Sequence, residues 1–346
     1  MPRFEPFAGL RYDPSVPLGD VIAPPYDVVS ERERVTLASR HGANAIHVEL
    51  PADDPAEGLD RYHSAARLLR EWTREGLLRR DTVPSFYAYR MTEPGGIPTT
   101  GVIGALECRP DRGDVLPHEQ TMRKDMTDRL ELLRAARVNT SPIWGLSLTE
   151  GLSKTFEPAG PPHAAASDGA GVLHELWVVA DAATIEAVSE SVAASPVVIA
   201  DGHHRYETAL AYRAEQRATN GDEPGDYDYV MALVVELSEQ QLSVGAIHRV
   251  VEGVSDDVDL VEVFGKWFDC TDVGATDRDK ALTMAQRHEL GLATRKKMWR
   301  LAPRQAAFDE AGSDLDSSLV ELALDGTGAE VRYSHDPQEA VAQLSA

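Results

Sequence analysis

Apolar residues recur along this chain with two periods: short β-branched or aromatic runs alternate with stretches in which they return every three or four positions. That pattern predicts an α/β protein, α+β in the sense of a mixed sheet. Near the N-terminus, Val21, Ile22 and Ala23 form a brief apolar run that Pro24 and Pro25 stop, because a residue before proline is pushed out of the helical region. Ser30 and Glu33 make a capping-box pair for a helix through about Arg40. A second helix is expected with Asp54 as its cap, Pro55 at its first position, Leu59, Tyr62, Ala66 and Leu69 on its apolar face, and Gly76 as its stop. Ser85 to Met91 and Thr100 to Glu107 read as a hairpin turning at Gly95 and Gly96. A helix over about 127–136 follows, and residues 157–170, rich in Pro, Ala and Gly, read as a loop. Strand 176–179, helix 182–194 and a strand entering Asp201 make a βαβ-like alternation, with further strands at 229–235 and 242–250. Beyond about Glu252 the pattern changes to helices near 260–268, 279–288, Ser317 and Gln338, with one strand near 298–301. Two domains are expected, 1–251 and 252–346.

The sharpest local signal is VVIADGHHRYETALAYR, residues 197–213. Val197, Val198 and Ile199 read as a buried strand, and Tyr206, Ala209, Leu210 and Arg213 return at helical spacing. The polar cluster Asp201, Gly202, His203, His204 and Arg205 therefore falls on a strand-to-helix junction. The first turn of a helix has N–H groups without intrahelical partners and the positive end of the dipole, so it attracts anions. Gly202 lets a ligand approach the backbone, Arg205 offers a bidentate clamp for phosphate, and a histidine can carry a proton near neutral pH. The plainer reading is that Asp201 caps an ordinary helix whose His and Arg side chains face solvent. Two histidines and an arginine packed behind the turn favour a ligand site.

Composition narrows the partners more than it names a function. The chain has 346 residues and a net charge of −23, with its densest basic run at Arg295, Lys296, Lys297 and Arg300, so direct nucleic-acid binding is not expected. No stretch approaches the roughly 20 apolar residues of a membrane span, and the first residues lack a signal-peptide layout. A cytoplasmic protein is expected. Cys108 and Cys270 are the two cysteines, which excludes a disulfide framework and suggests small buried side chains.

Several motifs in order, RYDP (11–14), APPYDVVSERER (23–34), HEQT (118–121), DRLELLRAARVNTSPIWGL (128–146), IADGHHRYETA (199–209) and IHRVV (247–251), resemble the family catalogued as DUF1015. The DGHHR element is also similar to that of free-serine kinases in the ParB and sulfiredoxin superfamily. The resemblance implies a ParB/sulfiredoxin-like nucleotide-binding core with added N-terminal elements and a smaller C-terminal α/β domain. It implies that Asp201, Gly202, His203, His204 and Arg205 handle phosphate. It makes Asp201, His203, His204 and Glu119 the catalytic candidates, Gly202, Arg205, His118, Thr121, Lys124 and Arg129 the phosphate-binding ones, and Tyr26, Asp27, Asn139, His248 and Arg249 the substrate-binding ones. The chain departs from the family in carrying Met126 where a lysine is common, with Lys124 nearby, and in lacking a C-terminal Met-Pro-Pro-Lys-Ser-Thr stretch, so a shortened C-terminal domain is expected.

Phosphoryl transfer needs cationic and N–H donors around the moving group and a base on the acceptor hydroxyl, and the DGHHR cluster has those residue types. The expected function is phosphoryl transfer on a small hydroxylated metabolite, with free serine or phosphoserine, ATP or ADP, and Mg²⁺ implied by the resemblance. The alternatives are a nucleotide or phosphometabolite sensor without turnover and, more weakly, a metal-dependent hydrolase using His118, Glu119, His203, His204 and His248. Against the last, adjacent histidines point in different directions and the chain has no HExxH helix.

Overall fold

The computed structural model describes residues 2–109, 114–116, 123–221, 223–238, 248–255, 258–287, 289–312, 316–334 and 337–344. The chain divides into two compact units, 1–243 and 244–346.

The first unit is built on a mixed sheet of nine strands. These are β1 (Phe4–Glu5), β2 (Phe86–Thr92), β3 (Thr99–Glu107), β4 (Val115–Leu116), β5 (Ile143–Ser147), β6 (Ala164–Ser167), β7 (Leu173–Val179), β8 (Val197–Asp201) and β9 (Tyr229–Glu236). The order is β4-β8-β5-β9-β3-β2-β7-β6, with β1 also on β3. β8 runs parallel to β4 and antiparallel to β5, and β9 runs parallel to β5 and antiparallel to β3. The mixed α/β class thus holds, but β7 and β8 are not the neighbours that a βαβ alternation suggests; β2, β3, β9 and β5 lie between them.

One sheet face carries Phe86, Ala88, Val102, Leu106, Ile143, Val197, Ile199, Val230, Ala232 and Val234 into a core shared with Val188, Val192, Tyr206 and Ala209. Val197 and Ile199 are fully buried. Each contributes about 1.5–3 kcal/mol from side-chain burial, enough to hold the end of β8 in place.

Helices α1 (Glu31–Arg40), α2 (Ile46–Glu49), α3 (Arg61–Arg74), α4 (Arg123–Ala136), α5 (Ala182–Ala193) and α6 (His203–Asn220) complete the elements that matter here. The α1 capping box forms as expected. α3 begins later than expected: Asp60 accepts from the His63 N–H and caps it, while Asp54 bridges to Leu59 and takes Arg67 instead. The 157–170 segment also holds edge strand β6, whose AAAS sequence has no β-branched residue to signal it. α3, α4 and a ribbon of Leu10–Tyr12 with Leu78–Arg80 share a satellite core around Val48, Trp72 and Leu132. Arg134 of α4 pairs with Glu215 of α6, locking these two helices side by side.

The second unit pairs β10 (His248–Glu252) with β14 (Glu330–Ser334), and β11 (Phe268–Ala275) with β13 (Lys297–Pro303), which also takes β12 (Gly291–Ala293). Its core gathers Phe264, Phe268, Leu301, Leu319 and Leu324. Its expected helices are present over Leu260–Gly265, Arg278–Gln286, Asp316–Leu324 and Pro337–Gln343. Among the described residues no helix is long and apolar enough to cross a membrane.

Candidate functional site

The β8–α6 junction takes its shape from three successive features. A bulge shifts the β8–β5 register between Ile199 and Asp201, so that Asp201 faces Trp144; such irregularities re-aim the side chains that follow. Gly202 then adopts φ 84° and ψ 28°, and α6 starts at His203 with the Tyr206 N–H donating to the Gly202 carbonyl. Gly202 is therefore the N-cap, in place of the Asp201 cap that the plainer sequence reading proposed, and no side chain of the cap residue covers the first turn. A Cβ at Gly202 would sit 3.1 Å from Ile143 Cα and 3.0 Å from Arg205 Nε, so the position is closed to other residues by both conformation and space.

Arg205 folds back over this turn and is only 10% exposed. Its terminal nitrogens donate to the Asp201 carboxylate and to the Pro142 carbonyl. The open bidentate clamp expected from the sequence is thus already engaged within the protein, and Nε is the nitrogen left buried without a partner. Two more buried atoms without partners belong to the junction segments: Nδ1 of His204 and Nε1 of Trp144. An unmatched buried donor or acceptor costs about 1–3 kcal/mol, so their concentration here is a departure from ordinary packing. His203 is buried at the start of the helix, and Asp201 is half exposed at the end of the strand.

Beside the junction lies a small cleft lined by Tyr26, Glu49, Arg129, Leu132, Leu133, Val138, Asn139, Thr140, Ser141, Arg205 and Thr208. Four residues singled out from the sequence, Tyr26, Arg129, Asn139 and Arg205, meet in it. Arg129 is buried, donates through Nη1 to the Glu49 carbonyl at 2.7 Å and through Nη2 to Asp128 at 2.6 Å, and lies 4.3 Å over the Tyr26 ring. Burial alone would raise the Asp128 pKa, but Arg129, Tyr62 and Arg61 stabilise the carboxylate and hold it below its ordinary value.

Glu49, Ser141 and Thr208 are among the lining residues that were not singled out as site candidates. Ser141 donates to Glu49 Oε1 at 2.9 Å, while Glu49 Oε2 and Thr208 Oγ1 are buried without partners. The available signal for Glu49 was a carboxylate inside the apolar run AIHVEL, and for Thr208 its place one turn beyond Arg205 on the same helix face.

Other candidates fall elsewhere. Asp27 sits exposed in the turn Tyr26–Val28 and does not line the cleft. His248 and Arg249 lie on β10 of the second unit, where Arg249 borders a separate hollow with Glu321 and Asp325. His118, Glu119 and Thr121 lie outside the described residues, as do the side chains of Lys124 and Met126. Among the described residues no group of three or more His, Cys, Asp or Glu is arranged to hold a metal ion.

Two solved structures are similar to this chain at low identity. One is a conserved hypothetical protein from Pyrococcus furiosus, 12% identical, with a TM-score of 0.30 over 71% of this chain and 75% of that one. The other is a free serine kinase mutant in complex with ADP, 15% identical, with a TM-score of 0.32 over 73% of this chain and 78% of that one. No curated protein matches the chain. The family model described as protein of unknown function (DUF1015) matches residues 4–324, and the chain belongs to that family.

Proposed function

We propose that the protein binds a phosphorylated small molecule at the Gly202 junction and transfers a phosphoryl group between a nucleotide, ATP or ADP, and the hydroxyl of a small metabolite. The observation that carries this reading is the set of unmatched polar atoms at one glycine-capped helix start: His204 Nδ1, Arg205 Nε and Trp144 Nε1. A phosphoryl group against the first turn of an 18-residue helix would meet backbone N–H groups and the positive end of the dipole. It would also accept from Arg205 Nε and Trp144 Nε1, relieving the cost of leaving them unmatched.

In the forward direction the acceptor oxygen bonds to the terminal phosphorus, the bond from that phosphorus to the bridging oxygen breaks, and ADP leaves. We assign the acceptor proton to His204, whose Nδ1 is buried without a partner. Arg205 acts on charge developing at the phosphoryl oxygens, in a setting where one such donor is worth about 10²–10³ in rate. Mg²⁺ would arrive with the nucleotide phosphates and supply charge to them.

The test is conversion of ATP and serine to phosphoserine and ADP, and the reverse, with Mg²⁺ present. Serine and phosphoserine are the pair that the DGHHR resemblance implies. Turnover that Arg205→Ala lowers by about 100-fold supports the reading. A folded protein that neither turns over nor binds nucleotide overturns it. One observation favours a second reading, a sensor without turnover: the terminal nitrogens of Arg205 are committed to Asp201 and Pro142. Nucleotide binding without turnover selects that reading.

A further inference from the structure

We infer that the cleft between α2, α4 and α6 is a subsite for a primary ammonium group, so that the metabolite at the Gly202 junction is a short amino alcohol as acceptor, or its phosphate ester as donor. The inference rests on the junction being the phosphoryl site, and it adds what lies on the other end of the ligand. Glu49 is 5% exposed, and its carboxylate accepts one hydrogen bond, from Ser141. Its second oxygen, Oε2, has no partner. Among the described residues no lysine, arginine or histidine pairs with that carboxylate. Arg129, which also lines the cleft, gives Nη1 to the Glu49 backbone and its other donors to Asp128.

A carboxylate removed from water without a counter-charge is among the least favourable groups a core can hold. A ligand cation removes that penalty, whereas a neutral alcohol does so only in part. Thr208, 4% exposed, also lines the cleft and carries a second unmatched oxygen, which we assign as the other acceptor for one –NH₃⁺ group. Arg205 borders both the cleft and the junction, and its unmatched Nε fixes where the anionic end of the same ligand lies. The cleft is small, with a free volume of ≈ 40 Å³, which gives room for an ammonium on a short stem. Leu132, Leu133 and Val138 supply an apolar wall for the stem, and exposed Asn139 and Thr140 form the rim through which it enters.

The experiment is calorimetric titration of the full chain with four probes: O-phosphoethanolamine, glycerol 3-phosphate, inorganic phosphate and ethanolamine. The expected result is that phosphoethanolamine binds at least tenfold more tightly than glycerol 3-phosphate. That preference should fall to near one in Glu49→Gln, which keeps the shape and the Ser141 contact, chiefly through weaker binding of phosphoethanolamine. Thr208→Val, a second variant that removes the other acceptor, should lower the preference by about three- to tenfold. Equal binding of the two esters by the wild-type chain, or a preference that survives in Glu49→Gln, overturns the ammonium subsite and leaves the junction as an anion site. Glu49-dependent binding of ethanolamine with no binding of any phosphate keeps the subsite and overturns the junction reading. Failure of all four probes to bind overturns both.

Discussion

Gly202→Ala is the substitution whose cost follows most directly from the junction geometry. The residue sits at φ 84°, where an L side chain costs about 1–2 kcal/mol. The added Cβ would also lie 3.1 Å from Ile143 Cα, a backbone atom that cannot move without disturbing β5. Relief of such an overpacked contact costs about 1–3 kcal/mol, so the two effects together come to about 2–5 kcal/mol. At about 2–4 °C per kcal/mol for a unit of this size, the melting transition should fall by on the order of 10 °C. Gly202→Asn separates the two contributions, because Asn tolerates the left-handed conformation but still brings a Cβ; it should recover about 1 kcal/mol and no more. Gly42→Ala is the control, since that glycine has ordinary φ and nothing within 4 Å of its added Cβ. Chemical denaturation of the three variants beside the wild-type chain measures all of this. If Gly202→Ala unfolds within about 0.5 kcal/mol of Gly42→Ala, the strained, crowded turn described here is wrong.

Two further outcomes test the packing within the two units. Asp228 is buried and accepts from Arg213, Arg217 and the Gly225 N–H; burial works to raise its pKa, but these partners hold it below the usual carboxylate value. A group depressed in the folded state contributes stability that is present above its unfolded pKa and lost as pH falls through the folded one, so the wild-type chain should lose this share below about pH 4. Asp228→Asn should cost about 3 kcal/mol at neutral pH, the low end for a broken buried pair because the arginine side chains are 23% and 22% exposed, and the gap to wild type should close in acid. A gap that is constant from pH 7 to pH 3 in urea unfolding contradicts the assignment. For the thiols, burial pushes Cys108 up to about 12, whereas Cys270 is partly exposed. An aromatic disulfide reagent at pH 8 should therefore titrate one thiol per native chain and two after unfolding; two in the native state would contradict the buried position of Cys108.

The strand-to-helix junction was legible because β-branched residues give way to helical spacing at a single Asp-Gly step, and no competing pattern overlaps it. The position of the cap was not. Asp201 and Gly202 both suit a helix start, and the choice depends on a β-bulge and on Arg205 drawing the Asp201 carboxylate away, neither of which leaves a local signal. Pro55 misplaced the start of α3 for a similar reason: Asp60 caps as well as Asp54, and the Asp54–Arg67 pair is a tertiary contact. β6 and β11 were hidden because AAAS and FDCTDVGA lack the apolar alternation of a half-buried strand and are held by their neighbours. In the cleft, Tyr26, Arg129 and Asn139 stood out as members of motifs. Glu49 is separated from Ser141 by more than ninety positions, and the absence of a counter-charge among the described residues is visible only once the chain is folded.

The central claim is that the Gly202 junction holds a phosphoryl group, and the most direct measurement is a calorimetric titration of ADP into the wild-type chain and into Arg205→Ala, with the fold of the variant checked by circular dichroism. The account predicts saturable binding of one ADP per wild-type chain and affinity at least tenfold weaker in the variant. A folded wild-type chain that shows no saturable binding up to millimolar ADP, or a folded variant that binds as tightly as wild type, would contradict it.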